Sequence, residues 1–160
     1  MEILSGSDNA SEDRKVFFKA QIIFWLLAAM DGHAKNFSIT HLPASHYHLT
    51  PLYDVLSTHP IIGAGRNQIA AQKTKLAMAV RGSKNDYLIN HIQRRHWRQQ
   101  GTIVGLGTAQ ADSIIDEIIA ATPRVITQIQ ARLPDNFPID LAESILTGLN
   151  RQCEKIAAMP

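Results

Sequence analysis

Residues 31–38 read Asp31-Gly32-His33-Ala34-Lys35-Asn36-Phe37-Ser38. They lie where an apolar, helix-like pattern ends and an alternating, strand-like pattern begins. An Asp and an Asn five positions apart in such a loop suit phosphoryl transfer. The carboxylate of Asp31 can take up or orient the proton of an attacking hydroxyl. The neutral amide oxygen of Asn36 can ligate magnesium on nucleotide phosphates. A second metal ligand is then expected, a carboxylate beyond the following hairpin. Asp54, in Pro51-Leu52-Tyr53-Asp54, stands eighteen residues after Asn36. Magnesium prefers hard oxygen ligands and commonly takes one or two carboxylates plus phosphate oxygens, a demand that Asn36 and Asp54 meet. Singly, each piece has a plainer reading: Asp31-Gly32 as a turn, Tyr53-Asp54 as a cap ahead of Val55. The ordered set carries the inference.

Working outward, the polar stretch 5–11 supplies helix N-caps, and a helix is expected from about Glu12 to near Met30. Ile22, Trp25 and Leu26 fill sides that Val16, Phe17, Ala20, Ile23, Phe24 and Leu27 leave open, so its second half should run through the core. Segments 37–40 and 47–50 alternate apolar and polar and read as two short strands joined through Pro43-Ala44-Ser45. The apolar run 76–80 can be strand or helix, since periodicity does not separate them at that length. Helices are expected over 86–100, 109–132 and about 139–158, with Pro123 breaking or kinking the second after Thr122. The fold class is mainly α with a small β-hairpin.

The chain has 160 residues, 45% of them apolar and 19% charged, which is globular composition for a single domain. Cys153 is the only cysteine, which excludes an internal disulfide framework and fits a reducing, cytoplasmic setting. The first twenty residues are too charged for a secretory signal, and the longest apolar run, Ile22–Met30, is nine residues, too short to span a membrane. The net charge of +2 is unevenly spread: −2 over residues 1–60, +7 over 61–100 and −3 over 101–160. The basic middle is either a face that meets an anionic partner or the solvated side of ordinary helices.

The stretches FKAQIIFWLL (18–27), DGHAKNFS (31–38), LTPLYDVLS (49–57) and KLAMAV (75–80) together resemble the C-terminal lobe of HipA-type serine/threonine kinases, the toxins of bacterial HipBA toxin–antitoxin systems. The resemblance covers nearly the whole chain. It implies a protein-kinase-like C-terminal lobe in which Asp31 is the catalytic base. His33, Lys35, Asn36, Tyr53 and Asp54 would line the ATP site, and Asn36 and Asp54 would ligate magnesium. It further implies phosphorylation of a protein hydroxyl, in the best-known members on an aminoacyl-tRNA synthetase. The implied partner is a small DNA-binding antitoxin, HipB, so contact with DNA would be indirect or weak.

The sequence also departs from that pattern. Gly63-Ala64-Gly65 is short and follows Asp54, the wrong order for a phosphate-cradling loop, and Lys73 and Lys75 follow the catalytic loop too. Residues 1–160 therefore read as one C-terminal lobe without the Gly-rich loop and strand lysine of an N-lobe, which a separate chain could supply. Such a lobe is expected to have little or no kinase activity alone; the other open reading is a non-catalytic module that binds an antitoxin or target protein. His41, His46, His48 and His59 are expected as solvent-exposed residues rather than zinc ligands, for want of tight spacing and nearby cysteine. Arg94-Arg95-His96-Trp97-Arg98 is either a nucleic-acid or antitoxin contact, or a helix face with Trp97 in the core and solvated arginines. Cys153 is expected as a structural thiol, and Ile114, Ile115, Ile118, Ile119, Val125, Ile126 and Ile129 as core packing.

Overall fold

The computed structural model describes residues 2–160. A short helix α1 (Glu2–Ser5) leads into α2 (Ala10–Leu26), whose Phe18, Ile22, Trp25 and Leu26 sit in the core with Trp97, Ile115 and Ile156. Helix α2 opens with Glu12 and Asp13 in its first turn, which suits the positive end of the helix dipole. Asp13 is buried: Ser7 donates to its carboxylate, and so does the Leu49 N–H at 2.9 Å, which pins the helix start to the hairpin.

The helix ends at Leu26, four residues before the expected Met30. The Ala28 N–H donates to the Trp25 carbonyl (3.1 Å) and the Ala29 N–H to the Phe24 carbonyl (2.7 Å), while Ala28 takes φ 50°. This is a Schellman stop with alanine at the left-handed position that glycine normally holds, which is why the sequence carried no stop signal there. Its methyl is buried, which offsets the backbone strain.

Two antiparallel pairs follow. In the first, β1 (Ile39–His41) pairs β2 (Tyr47–Leu49) with Ile39 opposite Leu49. The Pro43–Ser45 connection bends through Ala44 (φ 58°) and Ser45 (φ 64°). In the second, β3 (Lys75–Arg81) pairs β4 (Asn85–Leu88), with a register shift between Lys75 and Val80. The run 76–80 is thus a strand, with Leu76 and Val80 facing the core.

The expected helix 86–100 is corrected by β4: residues 85–88 are strand, a 3-10 turn covers Ile89–His91, and α3 starts at Arg94 and ends at Ile103. Pairing with β3, a contact invisible to local periodicity, overrides the helical reading. The Trp25 indole N–H donates to the Ile89 carbonyl at 3.0 Å and locks this turn onto α2.

Helix α4 (Thr108–Gln130) packs between α3 and α5 (Ile139–Ala157). It runs unbroken through Pro123, so of the expected break or kink the break does not occur. Proline has no N–H, so the Ile119 carbonyl loses its helical donor. The Cys153 thiol of α5 lies 3.9 Å from that carbonyl as a weak substitute. No described helix is long and apolar enough to cross a membrane.

Candidate active site

The loop between α2 and β1 is held against α2 by aromatic contacts. Phe37 packs on Phe17 and Phe24, with ring centroids 4.7 and 5.7 Å apart. A Cβ on Gly32 would lie 2.5 Å from the Phe24 ring, so only glycine permits this approach. These two anchors fix the loop at both ends.

Between them, Ala34–Asn36 form one 3-10 turn. The His33 N–H donates to Asn36 Oδ1 at 3.0 Å, and Asn36 Nδ2 donates to Asp54 Oδ2 at 2.9 Å. A backbone N–H can only donate and a carboxylate only accept, so both contacts require the same orientation of the amide. Asn36 is 2% exposed, whereas Asp54 is exposed and takes φ 55°, a left-handed conformation that Asp and Asn tolerate better than most residues.

The Tyr53 hydroxyl donates to the Lys35 carbonyl at 2.8 Å and lies 2.7 Å from Ser38 Oγ. Its single proton serves Lys35, so Ser38 donates to the phenolic oxygen. Tyr53 thus staples the segment carrying Asp54 to the loop carrying Asn36. Three of the expected residues, Asn36, Tyr53 and Asp54, are therefore brought together directly. Lys35 joins them through its carbonyl, and its side chain is exposed. Asp31 extends into solvent, its side chain 75% exposed and 3.7 Å from His33 Nε2. His33 Nδ1 is buried without a partner.

Sequence reasoning assigned no role to Ser38, Phe24 or Phe37. Phe37 and Ser38 were legible as part of DGHAKNFS; the Phe24 contact depends on the tertiary path. Beside the loop opens an apolar cleft of about 500 Å³ whose lining includes Phe17, Ala34, Phe37, Ser38, Ile39 and Met78.

The donor set fits magnesium rather than a transition metal. Asn36 Oδ1 keeps one lone pair beyond its bond to the His33 N–H, and Asp54 keeps its second oxygen, both hard ligands; in this arrangement the amide nitrogen, not Oδ1, faces Asp54. Among the described residues no group of three or more His, Cys, Asp or Glu is placed to hold a metal. His59 departs from the expected exposure: it is 7% exposed, with Nε2 2.8 Å from the Leu26 carbonyl.

The basic stretch resolves between its two readings. Trp97 is fully buried. The arginines are not simply solvated: Arg94 reaches Asp112 (2.9 Å) and Asp116 (2.7 Å), and Arg98 reaches Asp112 (2.8 Å). Burial opposes ionisation of Asp112, but hydrogen bonds from Arg98 and Arg94 outweigh it and leave its pKa below the usual carboxylate range. Much of the positive charge on α3 is thus spent on α4.

Residues 1–126 match the HipA-like C-terminal domain family. The chain belongs to that family. Among solved structures, this HipA-like domain is similar to a chain of the complex of Shewanella oneidensis MR-1 toxin–antitoxin HipA and HipB with operator DNA. The TM-score is 0.80 at 21% identity, over 99% of this chain and 35% of that one. At that identity the likeness carries the fold: a mainly α, kinase-like C-lobe. It also extends through residues 127–160, which the family match leaves out. The HipA-like domain thus spans about a third of the length of the Shewanella chain.

Proposed function

We propose that this HipA-like domain is the C-terminal catalytic lobe of a serine/threonine protein kinase of a toxin–antitoxin system, transferring phosphate from ATP to a protein hydroxyl. The observation that supports it most is the Asn36–Asp54 pair. Two residues eighteen positions apart meet at 2.9 Å, and the loop that carries Asn36 also carries the exposed carboxylate of Asp31.

In this reading Asp31 accepts the proton of the attacking hydroxyl, and its exposure leaves it open to a protein substrate. His33 flanks it, with Nε2 3.7 Å from the carboxylate. Tyr53 and the Asn36 amide hold the two halves of the site in register, which is the larger part of the protein's task in phosphoryl transfer. Asn36 and Asp54 would hold magnesium, which when bound neutralises charge on the phosphate oxygens. The apolar cleft beside Ala34 and Ser38 has room for a purine base.

The remainder of the nucleotide clamp, a Gly-rich loop and a strand lysine, has no counterpart in residues 1–160, so these residues alone should turn over little or no ATP. A HipB-like antitoxin is the proposed partner, in keeping with the HipA–HipB–DNA composition of the Shewanella complex; a cytoplasmic setting is proposed with it. DNA contact is proposed as indirect or weak, since Arg94 and Arg98 are already paired. An aminoacyl-tRNA synthetase is the proposed class of target.

The test is magnesium-ATP titration by calorimetry and a phosphorylation assay, each with and without a HipA N-lobe chain. Binding and turnover should require the added lobe and be lost in Asp54→Asn and Asp31→Asn respectively. Full turnover by the 160-residue chain alone, or turnover indifferent to Asp31→Asn, overturns the reading.

A further inference from the structure

A second cleft, of about 380 Å³, opens between α5 and the segments that carry His59, Thr74 and Asn90. It shares no lining residue with the Asp31–Asn36 loop or with Asp54. Its polar lining is His59, Thr74, Asn90, Arg151, Gln152 and Lys155, with no acidic side chain.

Among the described residues neither Arg151 nor Lys155 has a carboxylate partner. Arg94 and Arg98, by contrast, are fully matched by acids. Lys155 is half-buried and donates only to the Asn90 carbonyl, at 3.3 Å, and burial lowers its pKa with no acid to oppose the shift. Gln152 is 6% exposed and its Nε2 has no partner at all. A buried amide donor left unpaired calls for an acceptor that the protein does not supply. The Thr74 hydroxyl and one N–H of the Asn90 amide already donate to the Ala71 carbonyl. The unmet groups on α5 are therefore all donors, two of them cationic; across the cleft His59 Nδ1 is also unpartnered, the acceptor side of a ring whose Nε2 donates to the Leu26 carbonyl.

We propose that this cleft binds the phosphate group of a small molecule, held by Arg151, Lys155 and Gln152 Nε2. Arginine's fork and lysine's point charge are the usual cationic pair for phosphate oxygens. The volume exceeds that of bare phosphate and lies in the range of small-ligand sites, and Ile62 and Ile89 offer the organic part an apolar wall. Asp140 and Glu143 line the adjoining groove on the other side of Arg151, so the negative group lies towards Lys155.

The test is a titration of the 15N-labelled chain with inorganic phosphate, glycerol 3-phosphate and acetate at fixed ionic strength and pH, read at the Gln152 side-chain amide. Saturable shifts are expected with both phosphates, tighter for glycerol 3-phosphate, and none with acetate. Arg151→Gln and Lys155→Gln should each weaken binding about tenfold. Asp54→Asn should leave it unchanged, which keeps this site distinct from the phosphoryl-transfer site. A shift that never saturates, an equal response to acetate, unchanged affinity in both α5 variants, or loss in Asp54→Asn overturns the proposal.

Discussion

Asp54 combines a left-handed backbone with a carboxylate that accepts from a buried amide. Backbone outliers of this kind persist only where the surroundings over-determine them, and they gather at functional sites. Two substitutions separate its roles. Asp54→Asn keeps an oxygen for Asn36 and tolerates the same φ, so stability should change by less than about 1 kcal/mol while magnesium-dependent nucleotide binding is lost. Asp54→Ala strands the Asn36 amide and should cost roughly 1–3 kcal/mol in denaturant unfolding. Tyr53→Phe removes the donor to Lys35 and the acceptor for Ser38 and should cost about 1 kcal/mol by the same measurement. That Asn36 and Asp54 belong together was legible because residue type and order suggested it, and the two side chains do meet. The staple through Ser38 was not, since a hydroxyl reveals its partner only once the chain has turned back.

Helix α5 meets the rest of the protein through a close approach. The His59 ring lies where a Cβ on Gly148 would be, 2.2 Å away. Gly148→Ala should therefore push His59 off the Leu26 carbonyl and destabilise the fold by about 1–3 kcal/mol, as read by a lower denaturant midpoint. Between α3 and α4, Asp112 serves two guanidiniums at once. Asp112→Ala should cost more than removing either arginine partner, roughly 1–3 kcal/mol, because it leaves Arg94 only 11% exposed with Asp116 alone. A double-mutant cycle with Arg98→Ala checks the coupling. The long amphipathic helices and the first hairpin were readable from periodicity. The second hairpin was not: β4 owes its conformation to β3, and a Tyr-Leu-Ile segment with charged neighbours satisfies a helical pattern as well as a strand.

For the molecule as a whole, two buried histidines set the acid limit. Burial, the largest cause, lowers the pKa of both His59 and His96 from the ordinary 6.5, with nearby Arg151 adding to it for the first and Arg95 and Lys84 for the second. The unfolded chain therefore binds protons that the folded one refuses. Stability should be at its plateau above pH 6.5 and fall as pH drops below it towards the folded-state values, and His59→Gln should flatten part of that slope in pH-resolved thermal melts. Pro123 has a different use. The carbonyl it deprives is faced by the chain's only thiol, which is 5% exposed. A thiol reagent can reach Cys153 only when α5 swings away from α4. The labelling rate, divided by that of an unhindered cysteine, is therefore a clock for that separation, reporting how often the C-terminal helix leaves without any probe being introduced.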